Sequence, residues 1–269
     1  MVYIDIDPIA LQLGRFVIRW YGVMIFLAIV TVLVVAVRAA TRMGLKPDEV
    51  AALYDVTPWA VAGGLVVSRL FHVVDDWEYY SAHPGQIIGF AGLTIFGAVV
   101  GAVGAIVVYC AAKKVSFWRL GDAIAPGGIL GQAVGRVGCI LNGCCFGLPT
   151  SLSPAFIFAN PASAVPAEYL DTALYPTQLY HIIWNVGVFA VLWRLKGRIV
   201  PSGSVFLIYL GLYSIGDFII RFFRVRDVFL FNMPQAQVIS IATLLAVTVL
   251  FFVRRRQWKK ATACEPPGH

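Results

Sequence analysis

The residues of this chain best able to do chemistry are arginines, set where arginine is costly. The stretch GRVGCILNGCCFG, residues 135–147, ends a long apolar run and carries Arg136, Asn142, Gly143, Cys139, Cys144 and Cys145. Further on, Asp217 and Arg221 are four residues apart and Arg221 and Arg224 three apart, so one helical face holds all three. Arg69 and His72 form a similar i, i+3 pair, and Gln178, Tyr180 and His181 open another apolar segment. A guanidinium stays protonated and offers paired donors in a fixed fork, which suits a phosphate or a carboxylate. Asn142 both donates and accepts, which suits a lipid ester, a glycerol hydroxyl or an unwound backbone, and the NG pair marks a helix end. Asp217 serves equally well as the structural partner of Arg221 or as a catalytic group, since a buried cation needs a counter-charge in either case. His72 and His181 are each either a proton acceptor beside an anion or an interfacial hydrogen-bonding residue.

The segments that must position these groups are membrane helices. The chain is 59% hydrophobic and only 13% charged, with a mean hydropathy of +0.80, far from the roughly 25% charged of a soluble domain. Apolar stretches long enough to cross a hydrocarbon core of roughly 30 Å as helix recur along its whole length. They lie near residues 17–38, 56–74, 87–111, 121–145, 175–195, 203–223 and 235–253. The longest connection joins the fourth to the fifth, so the expectation is one all-α bundle of about seven spans forming a single polytopic domain over 1–269, with a basic tail at 254–269. The acidic start MVYIDID has no basic n-region, so the first span is expected to be a helix rather than a secretory signal.

The net charge of +7 invites a nucleic-acid reading, but its distribution argues against one. Basic residues follow every second span: Arg38, Arg42 and Lys46; Lys113, Lys114 and Arg119; Arg194, Lys196 and Arg198; and the run from Arg254 to Lys260. The positive-inside rule then places those loops in the cytoplasm, the N-terminus outside and the C-terminus inside. Seven basic residues break this rule, all arginine: Arg15, Arg19, Arg69, Arg136, Arg221, Arg224 and Arg226. Arg15, Arg19 and Arg226 are close enough to the interface to snorkel to outer headgroups. Arg136, nine residues before Cys145, lies roughly 13 Å deep, where arginine faces a protein interior, a water-filled cavity or a charged ligand. On this topology Tyr21, Arg69, His72, Arg136, Asn142, Gln178, Tyr180, His181, Asp217, Arg221 and Arg224 converge on the outer half of the membrane. The nearest abundant phosphate there belongs to a phospholipid.

The three cysteines read as small packing residues. No C-x-x-C is present, adjacent cysteines rarely act together as ligands, and a zinc site would need a fourth ligand from His72 or His181. No metal and no cofactor is implied.

Several stretches resemble a known family. GRVGCILNG at 135–143 is similar to the signature of the bacterial phosphatidylglycerol:prolipoprotein diacylglyceryl transferases, a Gly-Arg followed by an Asn-Gly. IRWYGVM at 18–24 resembles the family's WYG motif, SRLFH at 68–72 its arginine-containing second-span motif, YPTQLY at 175–180 its HPSQLYE, and FFRVRD at 222–227 its FFRxPD. The likeness runs in order from about residue 13 to 253. It implies a multi-pass enzyme of the bacterial cytoplasmic membrane, with its site towards the outer leaflet. Such an enzyme joins the diacylglyceryl group of phosphatidylglycerol to the lipobox cysteine of a preprolipoprotein, releasing glycerol phosphate. It also implies Arg136 on the lipid phosphate or its leaving group, Asn142 and Gly143 shaping the pocket, and Tyr21, Arg69 and Gln178 positioning substrate.

Three positions depart from the family pattern. Phe96 stands where a histidine or tyrosine is usual. Asp217 precedes Arg221 where an arginine normally precedes a glutamate, and Tyr175 and His181 replace the His and Glu of HPSQLYE. The general base is therefore open among His72, His181, Asp217 and the lipid itself. A divergent relative with another acceptor, or a non-catalytic phospholipid-binding protein, are the competing expectations.

Overall fold

The computed structural model describes residues 1–14, 16–88, 95–225, 228–230 and 233–263. It is mostly helical, and a long helix stands at each of the seven apolar segments: α1 (Trp20–Arg42), α2 (Pro47–Asp75), α4 (Ile95–Lys113), α5 (Phe117–Asn142), α6 (Thr177–Leu195), α7 (Ser204–Ile220) and α8 (Gln235–Ala263). The short α3 (Trp77–Ala82) follows α2. Five helical stretches, Trp20–Arg42, Pro47–Asp75, Phe117–Asn142, Ser204–Phe223 and Ala236–Lys260, are long and apolar enough to cross a membrane. The apolar part of α4, Gly97–Lys113, is shorter. α6 has the length, but Gln178, His181 and Asn185 lower its hydropathy.

The all-α expectation needs correction, because the connections contain strands. β1 (Val2–Ile4) pairs in parallel with β4 (Phe156–Phe158), which pairs antiparallel with β5 (Ala173–Leu174). Two hairpins, β2 (Ile9–Leu13) with β3 (Phe16–Arg19) and β6 (Val228–Leu230) with β7 (Met233–Pro234), complete the set among the described residues. Ile4, Phe156, Phe158, Val165 and Leu174 bury one another as a small core around the three-stranded sheet. The long connection after α5 is thus a folded element, in which Phe156, Ile157 and Phe158 of β4 are all buried.

The chain falls into two compact units. One comprises residues 1–39 and 121–269, the other residues 40–120. In the first, glycines of α5 admit α1: a Cβ on Gly127 would lie 2.5 Å from the Val32 carbonyl oxygen, and one on Gly138 would lie 2.9 Å from Met24 Cβ. This is the close backbone approach that small residues permit in membrane helices. Ala125 and Ile129 of α5 pack with Val188 and Leu192 of α6 and Val205 of α7. Trp184 crosses from α6 and donates to the Leu212 carbonyl at 3.0 Å, its indole filling the space left by Gly216. Asp122 caps α7, accepting from the backbone N–H of Gly203 at 2.6 Å and of Phe206 at 2.9 Å.

In the second unit, α2 and α4 meet through Gly63, Gly64 and Gly101, where an added side chain would strike the facing backbone. The N-terminus of α2 is closed by Glu49, which accepts from the Lys46 backbone N–H at 3.0 Å and pairs with Arg119 at 3.0 Å.

Candidate functional site

The end of α7 carries the buried Asp217. Its Oδ2 accepts from Arg221 Nε at 2.7 Å and from Ser240 Oγ of α8 at 3.3 Å. Its Oδ1 faces His181 Nε2 of α6 at 3.9 Å. That separation is too long for a hydrogen bond, and neither atom has a hydrogen-bond partner. Two buried polar atoms thus face each other across a gap wide enough for electrostatic attraction but not for a proton to be shared.

Arg136 enters the same region from α5. It lies within electrostatic reach of Tyr213, Asp217, Cys139 and Cys145. The spacing explains the pairing. Gln132 and Arg136 are one turn apart on α5, Tyr209, Tyr213 and Asp217 lie at successive turns of α7, and Gln132 Nε2 donates to the Tyr209 hydroxyl at 3.0 Å. Two polar stripes therefore face each other across the helix pair. His181 sits within electrostatic reach of three guanidiniums, Arg136, Arg224 and Arg221. Three cations gathered around one buried histidine form a centre suited to an anion, because each guanidinium is less costly to bury when a negative charge joins it.

The NG pair ends α5 as its composition predicts. Asn142 is the last helical residue, Gly143 takes φ +75°, and the Cys144 N–H returns to the Cys139 carbonyl at 3.0 Å. A Cβ on Gly143 would lie 2.9 Å from Ser163 Cβ, and the Asn142 carbonyl accepts from the Ala164 N–H at 2.8 Å. These two residues therefore fix the exit of the chain. Gln178 Nε2 donates to the Cys144 carbonyl at 2.8 Å and Thr177 Oγ1 to the Cys145 carbonyl at 2.7 Å, so the start of α6 pins that exit. The Gln178 amide nitrogen is thereby committed to backbone, while its buried Oε1 has no hydrogen-bond partner. The Leu148 N–H reaches the Phe223 carbonyl at 2.8 Å, and Gly147 bridges Arg224, which ties the same loop to the end of α7. Tyr21, in the first turn of α1, lies within electrostatic reach of Arg136 and of the three cysteines. Tyr180 packs edge-on against Phe223 with centroids 6.0 Å apart. Both line a groove of ≈620 Å³ with Ile183, Trp184 and Leu212, and its walls are almost wholly apolar.

Arg69 and His72 belong to the other unit. Arg69 donates from Nε to the Ile87 carbonyl at 3.0 Å and from its terminal nitrogen to the Gln86 carbonyl at 2.5 Å, and it stacks over Tyr80 at 5.0 Å. His72 Nδ1 lies 3.4 Å from Asp76 Oδ2, and its ring meets Tyr80 edge-on. Arg15, Arg226 and the side chain of Phe96 lie outside the described residues.

Sequence reasoning missed four residues. Tyr213 was discoverable, since it precedes Asp217 by one turn on the face that already held Arg221. Asn185 likewise follows His181 by one turn; it is fully buried, and both its amide atoms lack a hydrogen-bond partner. Ser240 reaches Asp217 from a distant helix, and Thr177 reaches across 32 positions, so neither leaves a local signal.

A mostly helical chain with five helical stretches long and apolar enough to cross a membrane, and with arginines beside a polar centre among α5, α6 and α7, is of the membrane-protein class. More narrowly, the chain belongs to the prolipoprotein diacylglyceryl transferase family, whose pattern matches residues 8–253. It is 38% identical over 261 residues to a protein of Dehalococcoides mccartyi named phosphatidylglycerol--prolipoprotein diacylglyceryl transferase, covering 97% of this chain and 98% of that one. Proteins of the same name from Acaryochloris marina, 38% identical with 94% of each chain covered, and Listeria innocua, 32% identical with 93% of this chain and 90% of that one covered, are similar along the same length.

Proposed function

We propose that this chain transfers the diacylglyceryl group of phosphatidylglycerol to the lipobox cysteine thiol of a preprolipoprotein. It does so as a multi-pass protein of the bacterial cytoplasmic membrane with about seven spans, its N-terminus outside and its site open to the outer leaflet. The relatives' names supply the two substrates. The observation that carries the reading is the convergence of Arg136, Arg221 and Arg224 on His181.

The chemistry follows from that arrangement. The cysteine sulphur attacks the glyceryl carbon bonded to the phosphate oxygen, a C–S bond forms as the C–O bond breaks, and the electron pair leaves on glycerol phosphate. Arg136 and Arg224 hold the phosphate and stabilise the charge it gains, an effect that donors already in place supply without reorganisation. Arg221, fixed by Asp217, completes the cationic wall. A thiol attacks as its thiolate, the form that the surrounding guanidiniums favour, and its proton ends on the departing glycerol phosphate. The apolar groove beside Tyr180 and Phe223 suits an acyl chain. Asn142, Gly143 and Gln178 hold the loop that borders the site, while Tyr21 closes it beside Arg136.

The test uses purified protein in phosphatidylglycerol vesicles with a lipobox peptide, followed by mass spectrometry. A peptide heavier by one diacylglyceryl group, linked as a thioether, is the expected product. Folded protein that gives no adduct at any pH overturns the reading.

A further inference from the structure

Spacing alone assigns Cys139, Cys144 and Cys145 to packing, but the fold gives them another character. Cys139 is buried in the last turn of α5, and Cys144 and Cys145 follow the helix end, half-buried. Gly143 and Cys145 both take positive φ, 75° and 60°, which folds the chain back on the helix that it has just left. The result is that the three sulphur atoms lie within 4.8 Å of one another, and all three are free thiols. The turn is held from α6, where Thr177 and Gln178 bind the carbonyls of Cys145 and Cys144, so the trio does not depend on its own contacts to stay together.

Three sulphurs placed about 2.3 Å from one metal ion are separated by about 4.0 Å in a plane. The present set, all within 4.8 Å, stands close to that spacing. No described histidine or carboxylate joins the cluster, so the donor set is three soft atoms without a fourth. Zinc favours four ligands, whereas soft thiolates select Cu(I). The charges agree: Arg136 and Arg224 lie within electrostatic reach of Cys145, and Arg136 of Cys139 as well. Three thiolates around a monovalent cation carry two negative charges, which two guanidiniums balance. The partial exposure of Cys144 and Cys145 provides an entry path.

We propose that Cys139, Cys144 and Cys145 form a three-thiolate site for one monovalent soft metal ion, Cu(I) or Ag(I). This site goes beyond the transfer reaction and stands whether or not that reaction occurs. Binding releases the thiol protons and leaves two guanidiniums facing an anionic metal–thiolate cluster in place of other anions.

The experiment titrates the full-length, reduced protein in detergent with Cu(I) held by a chromophoric chelator under anaerobic conditions. The expected result is uptake of one equivalent, with X-ray absorption showing three sulphur neighbours about 2.3 Å from copper. The triple variant C139S/C144S/C145S is expected to take none, each single serine variant to bind at least about tenfold more weakly, and Cys110→Ser to bind as the parent does. In the parent protein, one equivalent of Cu(I) should also shield these three thiols, and not Cys110, from maleimide, as mapped by peptide mass spectrometry. That readout decides the matter if the triple variant does not fold. No uptake against the chelator, unchanged uptake in a folded triple variant, two sulphur neighbours, or no selective shielding would each overturn the proposal.

Discussion

Asp217 and Arg221 stand one turn apart at the end of α7, joined by a 2.7 Å hydrogen bond from Nε to Oδ2, with the carboxylate buried and the guanidinium partly exposed. The pair does two things at once. It gives the buried carboxylate a charged donor, and it fixes Arg221 facing the histidine of α6, beside the arginines that enter from α5 and from the loop after α7.

The presence of this pair is expected to matter more than the order of its charges. Asp217→Ala is expected to lower transfer about 10²-fold, because Arg221 loses its anchor and a misplacement of about 1 Å is enough for such a loss. The double variant D217R/R221E, which restores the family's usual order, is expected to recover a substantial part of that activity. Thioether yield per unit time in phosphatidylglycerol vesicles reads both. A double variant no better than either single change would remove the pair from the mechanism.

Arg136→Lys keeps the charge but not the planar fork. Turnover is expected to fall roughly 10²- to 10³-fold, in line with the loss of one positioned donor at a leaving group, with a smaller change in the lipid concentration needed for half-saturation. Steady-state rates over a range of phosphatidylglycerol mole fractions separate the two effects. Equal turnover in the lysine variant would sink the assignment.

How much of this was open to inspection in the residues alone differs from place to place. The helices were legible because an apolar run of about 20 residues has few other fates, and the end of α5 was legible because Asn-Gly cannot easily continue a helix. The convergence at the end of α7 was half legible: Asp217 and Arg221 pair as their i, i+4 spacing implies, but α7 ends at Ile220 and Arg224 is extended, so it leaves the expected helical face, and Ser240 and His181 join only through packing of distant helices. The pairing of β1 with β4 was hidden, since three-residue strands more than 150 positions apart leave no periodic signal. Arg69 and His72 show what spacing leaves out. Arg69 meets the Gln86 and Ile87 carbonyls and His72 meets Asp76, and the i, i+3 spacing of the two residues reveals neither set of partners.

Asp122→Ala removes the acceptor for two backbone N–H groups at the start of α7. A loss of about 1–2 kcal/mol is expected, typical of a helix cap, and Asn, which keeps one of the two acceptor oxygens, should restore only part of it. Thermal unfolding in detergent, followed by tryptophan fluorescence, checks this. An alanine variant as stable as the parent would show that water replaces the carboxylate there.

Gly143→Ala should be poorly tolerated. It places a Cβ 2.9 Å from Ser163 Cβ at a φ of +75°, and left-handed backbone at a non-glycine costs about 1–3 kcal/mol. A fall in transfer larger than the fall in melting temperature would explain is expected, because the displaced loop carries Cys144, whose carbonyl receives Gln178.

Gly101→Ala tests the other unit. The added methyl meets the Gly63 carbonyl of α2, and overpacking of this kind costs about 1–3 kcal/mol. Faster proteolysis within residues 40–120 than elsewhere in the chain is the expected sign, read by mass spectrometry of limited digests.

α6 presents Gln178, His181 and Asn185 on successive turns, all but sealed from solvent, and it is not among the helices apolar enough to cross a membrane unaided. A translocon that judges segments one at a time would hesitate over it. On the proposed seven-span topology, the helix that brings the histidine to the site enters the bilayer in the company of α7, whose Leu212 carbonyl and Asp217 it meets. Biogenesis and chemistry are coupled here: a substitution that makes α6 greasier should ease its insertion while emptying the site, so yield in the membrane and activity would move in opposite directions.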